Sequence, residues 1–222
     1  MISVIVPVYN EAENIVDLAS ELSRELQPLS HEIRFVDDGS TDASWERILE
    51  AQKKIPHIHA TRLAKNLGKS AAWSVGFQEA QGSVICTLDA DLQNDPRDIH
   101  PLLKKLDEGY DLVSGLRSTR SETWYRIGLS RLGNAFIQFV TGSTLNDHGC
   151  GLKVVRKEFC HNLNLCQGMH RFLSVILIRR GARAAELEIR DRKRRHGKSK
   201  FGMERIFQLP LEWIRLERKF PK

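Results

Sequence analysis

The chain has 222 residues, 41% hydrophobic and 28% charged, enough to bury the core of one large α/β domain and too ordinary in composition for disorder. Its four cysteines form no Cys-x-x-Cys pair, which favours reduced thiols over a disulfide framework. The net charge of +6 is uneven: Arg179 to Lys200 holds ten Lys or Arg against three acids, a balance of +7, which leaves the other 200 residues at −1.

The start, Met1-Ile2-Ser3-Val4-Ile5-Val6-Pro7, lacks the basic n-region and cleavage site of a secretory signal and reads as a first strand, Ile2–Val8. Short apolar runs then alternate with amphipathic stretches, the pattern of βαβ units and a mostly parallel sheet. Further strands are expected at Glu32–Val36, Ile58–Leu63, Ser83–Leu88 and Asp111–Ser114. Helices are expected at Ala12–Leu26, Ser44–Lys54, Lys69–Ala80 and Arg97–Glu108, the first opened by an Asn10/Glu13 capping box. Past residue 117 the alternation stops. A helix is predicted at Trp124–Val140, a strand at Cys150–Val155, a helix at Gly168–Arg180 and an extended run at Ala184–Arg190. The last segment, Met203–Leu216, sets Ile206, Leu209, Trp213 and Leu216 at helical spacing, with Pro210 as a kink or a second start. Beside the basic run, that stripe suits either the core or an interfacial docking helix. No run approaches the roughly 18 to 20 apolar residues that span a bilayer.

Two acidic clusters close predicted strands: Asp37-Asp38-Gly39-Ser40-Thr41-Asp42 after the second and Asp89-Ala90-Asp91-Leu92-Gln93 after the fourth. Ligands of open parallel sheets bind at the strands' carboxyl ends, so both clusters would face one crevice. Crowded carboxylates there call for a cation, and Asp89, Asp91 and the Gln93 amide suit Mg²⁺ or Mn²⁺ with diphosphate oxygens completing the shell. Gly68-Lys69-Ser70 is not a Walker A loop, because position 63 is Leu63, yet Lys69 lies where it can meet a nucleotide. His57 and His59 have ligand-like spacing without acidic or Cys partners and read as surface residues. An aromatic platform for nucleic acid is absent, so no nucleic-acid partner is expected.

Val6-Pro7-Val8-Tyr9-Asn10-Glu11, Asp37-Asp38-Gly39-Ser40, Lys65-Asn66-Leu67-Gly68-Lys69 and Asp89-Ala90-Asp91-Leu92-Gln93 together resemble the successive signatures of family 2 glycosyltransferases with the GT-A fold. Gly115-Leu116-Arg117, Asp147-His148-Gly149-Cys150-Gly151-Leu152-Lys153, Gly168-Met169-His170-Arg171-Phe172 and Arg194-Arg195-His196-Gly197-Lys198-Ser199-Lys200 extend the resemblance to the polyprenyl-phosphate branch, which includes dolichyl-phosphate mannose synthases. The resemblance implies an α/β GT-A catalytic domain over 1–205, a Rossmann-like mostly parallel sheet flanked by helices, and an amphipathic C-terminal segment over 206–222. It implies inverting, metal-dependent transfer of a sugar from a GDP- or UDP-sugar to a polyprenyl phosphate. Pro7, Tyr9, Glu11 and Asp38 would hold base and ribose, Lys69 the nucleotide, and Asp89, Asp91 and Gln93 the metal and diphosphate. Arg117 and Arg131 would meet the acceptor phosphate, and Lys198 and Lys200 would close over phosphates.

A phosphate acceptor is already anionic at neutral pH, so no strong base is required; Asp147 is the candidate if a base or sugar-hydroxyl contact exists. Many bacterial relatives continue into two membrane-spanning helices while this sequence ends at Lys222. The expectation is therefore a protein peripheral to the cytoplasmic face of a membrane, with Arg192 to Arg195 facing anionic lipid and a separate anchoring subunit or homo-oligomer, or else a sequence cut short. Two other readings stay open: a glycosyltransferase acting on a sugar hydroxyl, and a silent nucleotide-sugar-binding module that recruits a membrane partner.

Overall fold

The structure is a computed structural model that describes residues 1–117, 124–196 and 204–221. β1 (Ile2–Val8), β2 (His31–Asp37), β3 (Ile58–Arg62), β4 (Val84–Thr87), β5 (Leu112–Leu116), β6 (Lys153–Arg156) and β7 (Ala184–Glu188) form one seven-stranded sheet in the order β3-β2-β1-β4-β6-β5-β7. All neighbours run parallel except β6, which is antiparallel to both β4 and β5. The mostly parallel α/β architecture expected from the alternating pattern is therefore present. The insertion of β6 between β4 and β5 follows from no local pattern.

Side chains of β1 alternate between two cores, as strand geometry requires. Val4, Val6 and Val8 pack with Ile15, Leu18 and Leu22 of α1 (Ala12–Leu26) and with Leu102 and Leu106 of α4 (Ile99–Asp107). Ile5 faces the other way, toward Trp73 and Phe77 of α3 (Lys69–Glu79) and Leu173 and Ile176 of α6 (Leu173–Arg179). Burial on both faces is why β1 reads as a continuous apolar run. α2 (Ser44–Lys54) covers the β2–β3 edge, and α5 (Trp124–Thr141) meets α7 (Glu204–Lys219).

Three local expectations change. Asn10 does not cap α1; it sits at φ 52° and its Oδ1 accepts from the Thr41 N–H at 2.8 Å, tying the first loop to the second. The predicted 168–180 helix is divided: Gly168 is left-handed, Met169–Phe172 make a 3₁₀ turn, and α6 begins at Leu173. The C-terminal helix runs on through Pro210 to Lys219, and its Leu209 and Leu216 are buried with Trp213 packed against the second core. The apolar stripe that could have docked on a membrane is thus largely spent on the fold. Glu212 on the same face is buried and pairs with Arg171 at 3.1 Å.

Candidate active site

The carboxyl ends of β1, β2 and β4 meet the start of α3. Asp37 is fully buried; its Oδ1 accepts from Ser40 N–H and its Oδ2 lies 3.0 Å from Arg62. Asp38 turns the other way and accepts from the backbone N–H groups of Leu67 and Gly68, both at 2.8 Å. Burial pushes its carboxyl above the usual range despite those two donors. Gly39 is required here, since φ is 67° and a Cβ would stand 2.6 Å from the Lys65 carbonyl carbon. These contacts fasten the 65–68 loop to the end of β2, and Pro7, Tyr9 and Glu11 around the end of β1 are partly buried.

The second acidic cluster follows β4. Lys69, the first residue of α3, places Nζ 2.5 Å from Asp89 Oδ1 and lies over the Trp73 ring. Asp91 accepts from Gln93 N–H at 3.1 Å and from Arg194 Nη2 at 2.7 Å. Burial and then the neighbouring Asp89 charge push the Asp91 carboxyl above the ordinary aspartate range, against the pull of Arg194. Between Asp91 and Gln93 the backbone is strained, with Leu92 at φ 62°. Gly151, in the turn entering β6, has no room for a side chain: a Cβ would lie 2.4 Å from Asp89 Oδ2.

Among the described residues no three His, Cys, Asp or Glu groups converge as a closed metal cage. Asp89 and Asp91 are an open, hard-oxygen donor set, already neutralised here by Lys69 and Arg194, and Gln93 is tied to Asp91 through its backbone N–H. That chemistry fits a divalent cation whose remaining ligands come from a diphosphate.

A second region lies beyond β5. A cavity of about 330 Å³ is lined by Arg117, Arg131, Asn134, Gln138 and Asn146 among others, so the two arginines predicted for one anion do share one pocket. Arg117 is fixed from behind by Asp147: Nε donates to Oδ2 at 2.8 Å and Nη2 to Oδ1 at 3.0 Å. Asp147 is fully buried, and Glu186 of β7 pins its loop by accepting from the N–H groups of Asn146 and Asp147. With both oxygens on a guanidinium, Asp147 is built to aim Arg117, which differs from the base role considered for it. Lys198 and Lys200 lie outside the described residues.

Sequence reasoning missed three contributors. Glu186 had no motif signal. Gly151 and Lys153 lay in a quoted stretch without an assigned task. Lys153, fully buried in β6, donates to the Cys150 carbonyl at 2.7 Å and Ser114 Oγ at 2.9 Å, joining the Gly151 turn to β5. Arg192, Arg194 and Arg195 were expected to face lipid, and the structure instead pairs them with Glu21, Asp95, Asp91, Glu11 and Asp17.

Within the same 147–153 stretch, burial and then the Lys153 ammonium push His148 down to about 4. Its folded value lies below the unfolded one, so the unfolded chain takes up the proton first as pH falls. Stability should therefore drop by on the order of 3 kcal/mol between pH 7 and pH 4 through this group. Urea unfolding across that range should show a flatter profile in His148→Gln.

The chain matches the model of glycosyl transferase family 2 over residues 3–163. It is 37% identical over 216 residues to the undecaprenyl-phosphate 4-deoxy-4-formamido-L-arabinose transferase of Enterobacter sp. (strain 638). That alignment covers 96% of this chain and 66% of the relative, so the chain spans just under two thirds of that relative's length. Among solved structures it resembles the glucosyl-3-phosphoglycerate synthase of Mycobacterium tuberculosis. The complex of that enzyme with phosphoglyceric acid gives a TM-score of 0.74 at 17% identity, over 97% of this chain and 79% of that one. The complex with Mn²⁺, uridine diphosphate and glucosyl-3-phosphoglycerate gives 0.73 at 18%, over 98% and 79%. The sheet order, the acidic strand ends and the family match agree: the chain belongs to glycosyl transferase family 2.

Proposed function

We propose that this chain transfers a sugar from a nucleotide-diphosphate donor to a polyprenyl phosphate, with inversion, in a divalent-cation-dependent reaction at the cytoplasmic face of a membrane. The observation that carries the reading is the pocket holding Arg117 and Arg131, with Arg117 backed by a buried carboxylate. An arginine aimed by Asp147 presents its remaining N–H groups in a fixed fork, the geometry that suits a phosphate. The Enterobacter relative is named as a transferase for undecaprenyl phosphate, which supports that acceptor class.

In this reading Pro7, Tyr9, Glu11 and Asp38 surround the base and ribose, and Lys69 meets the diphosphate. Asp89, Asp91 and Gln93 would hold Mg²⁺ or Mn²⁺, which neutralises charge on the leaving diphosphate. Arg117 and Arg131 orient a phosphate that is already mostly dianionic, so its oxygen attacks without a proton being removed. A single displacement inverts the anomeric centre. The bond from anomeric carbon to donor oxygen breaks as the bond to the acceptor oxygen forms. With Asp147 committed to Arg117, a sugar-hydroxyl acceptor would lack its candidate base.

No described helix is long and apolar enough to cross a membrane. Contact with the lipid surface is assigned instead to exposed apolar side chains: Phe139 (89% exposed) and Leu132 (60%) on α5, which also carries Arg131, and Leu211 and Ile214 on α7. The test offers UDP- and GDP-sugars with undecaprenyl phosphate and Mn²⁺ and follows label into the organic phase. Product should form with one donor class and vanish with chelator; no transfer from any donor would sink the reading.

A further inference from the structure

The arginines at 190–195 form a strap along the acidic edge of the crevice. Arg190 lies 3.5 Å from Asp95 and 3.4 Å from Asp98, Arg192 is 2.6 Å from Glu21 and 2.7 Å from Asp95, and Arg195 is 3.3 Å from Glu21. The backbone joins in: Arg192 N–H donates to the Gln93 carbonyl at 2.9 Å, and Asp191 bridges to Asn94. This mooring fixes the chain two residues before Arg194. The Arg194 side chain then turns inward, with Nη2 2.7 Å from Asp91 Oδ2 and Nη1 3.5 Å from Glu11 Oε1. Both are well shielded, at 19% exposure for Arg194 and 12% for Asp91. With Gln93 N–H on the other oxygen, both oxygens of Asp91 are engaged by the protein itself.

We propose that Arg194 is a positioning residue that serves as the resident counter-cation of Asp91 and exchanges that carboxylate for the donor diphosphate when a divalent cation arrives. The inference rests on the crevice being the donor and metal site. A dication and a guanidinium cannot share one carboxylate oxygen at contact distance without strong repulsion. The guanidinium has somewhere to go only when the donor brings phosphate oxygens into the crevice, and a guanidinium binds those as readily as it binds carboxylate. Because Arg192 holds the strap, the exchange needs a rotation of one side chain and no lifting of the segment. Linkage follows: the metal alone must displace Arg194 and binds weakly, whereas metal and diphosphate strengthen each other.

The experiment titrates the full chain with MnCl₂ and reads free Mn²⁺ by electron paramagnetic resonance, first without nucleotide and then with UDP and with GDP. Arg194→Gln should bind Mn²⁺ alone about tenfold more tightly than wild type, the size of one charge-assisted hydrogen bond. The same variant should lose about tenfold of the enhancement that nucleotide and metal give each other. Arg195→Gln, in the same strap but half-exposed and paired with Glu21 and Asp17, should leave the affinity for Mn²⁺ alone unchanged. Equal or weaker Mn²⁺ binding by Arg194→Gln overturns the exchange, as does equal tightening by Arg195→Gln, which would mark a diffuse charge effect. If wild type binds Mn²⁺ with UDP or GDP and Arg194→Gln behaves identically, this inference fails while the donor site stands. If wild type holds Mn²⁺ under none of these conditions, both fall.

Discussion

Asp147→Asn is expected to lower the unfolding free energy by about 3–5 kcal/mol, because it removes one partner of a buried ion pair and leaves the Arg117 guanidinium without its counter-charge. Arg117 is 18% exposed and Asp147 is not exposed at all, so water offers little relief. The loss should reach the 146–147 loop, whose N–H groups are held by Glu186. Replacing both partners by apolar residues, Arg117→Met with Asp147→Leu, should recover much of the stability and none of the acceptor binding. Urea unfolding of the two singles and the double separates these effects as a cycle. Transfer by Asp147→Asn should fall mainly through a raised KM for the phosphate acceptor, with the pH profile unchanged in shape. A variant as stable as wild type that loses only the acid limb of that profile would identify Asp147 as a base after all.

The second large effect is on turnover. Asp91→Asn should reduce metal-dependent transfer roughly a thousandfold, the scale on which losing a preorganised charge-stabilising group acts. Its effect on stability should be small. Burial and the Asp89 charge already disfavour a charged Asp91, so neutralising it relieves repulsion while releasing Arg194. Unfolding should shift by no more than about 1 kcal/mol, since the two changes oppose each other. Transfer within tenfold of wild type at saturating Mn²⁺ would remove Asp91 from the site.

Much of the first half was legible because each segment carries its own instruction. β1 is apolar on both faces and α1 repeats its apolar residues at helical spacing, and both lie where periodicity put them. The placement of two acidic clusters at strand ends was enough to set them on one crevice, since parallel strands all deliver their carboxyl ends to the same side. Asn10 shows where local reading stops. Its side chain can cap a helix or bridge a loop, and the choice depended on Thr41, thirty-one residues away.

The sequence by itself therefore determined the βαβ alternation and the acidic strand ends, because periodicity and strand polarity are local or linear properties. Tertiary structure alone decided that β6 inserts antiparallel between β4 and β5 and brings Gly151 under Asp89. It also decided that Asp147 aims Arg117, and that Arg192 and Arg194 of the basic run turn back onto Asp91, Asp95, Glu11 and Glu21. The physical reason is common to all three. A charged or glycine residue has no periodic signature, and its task is set by the groups that distant segments place within a few ångströms of it.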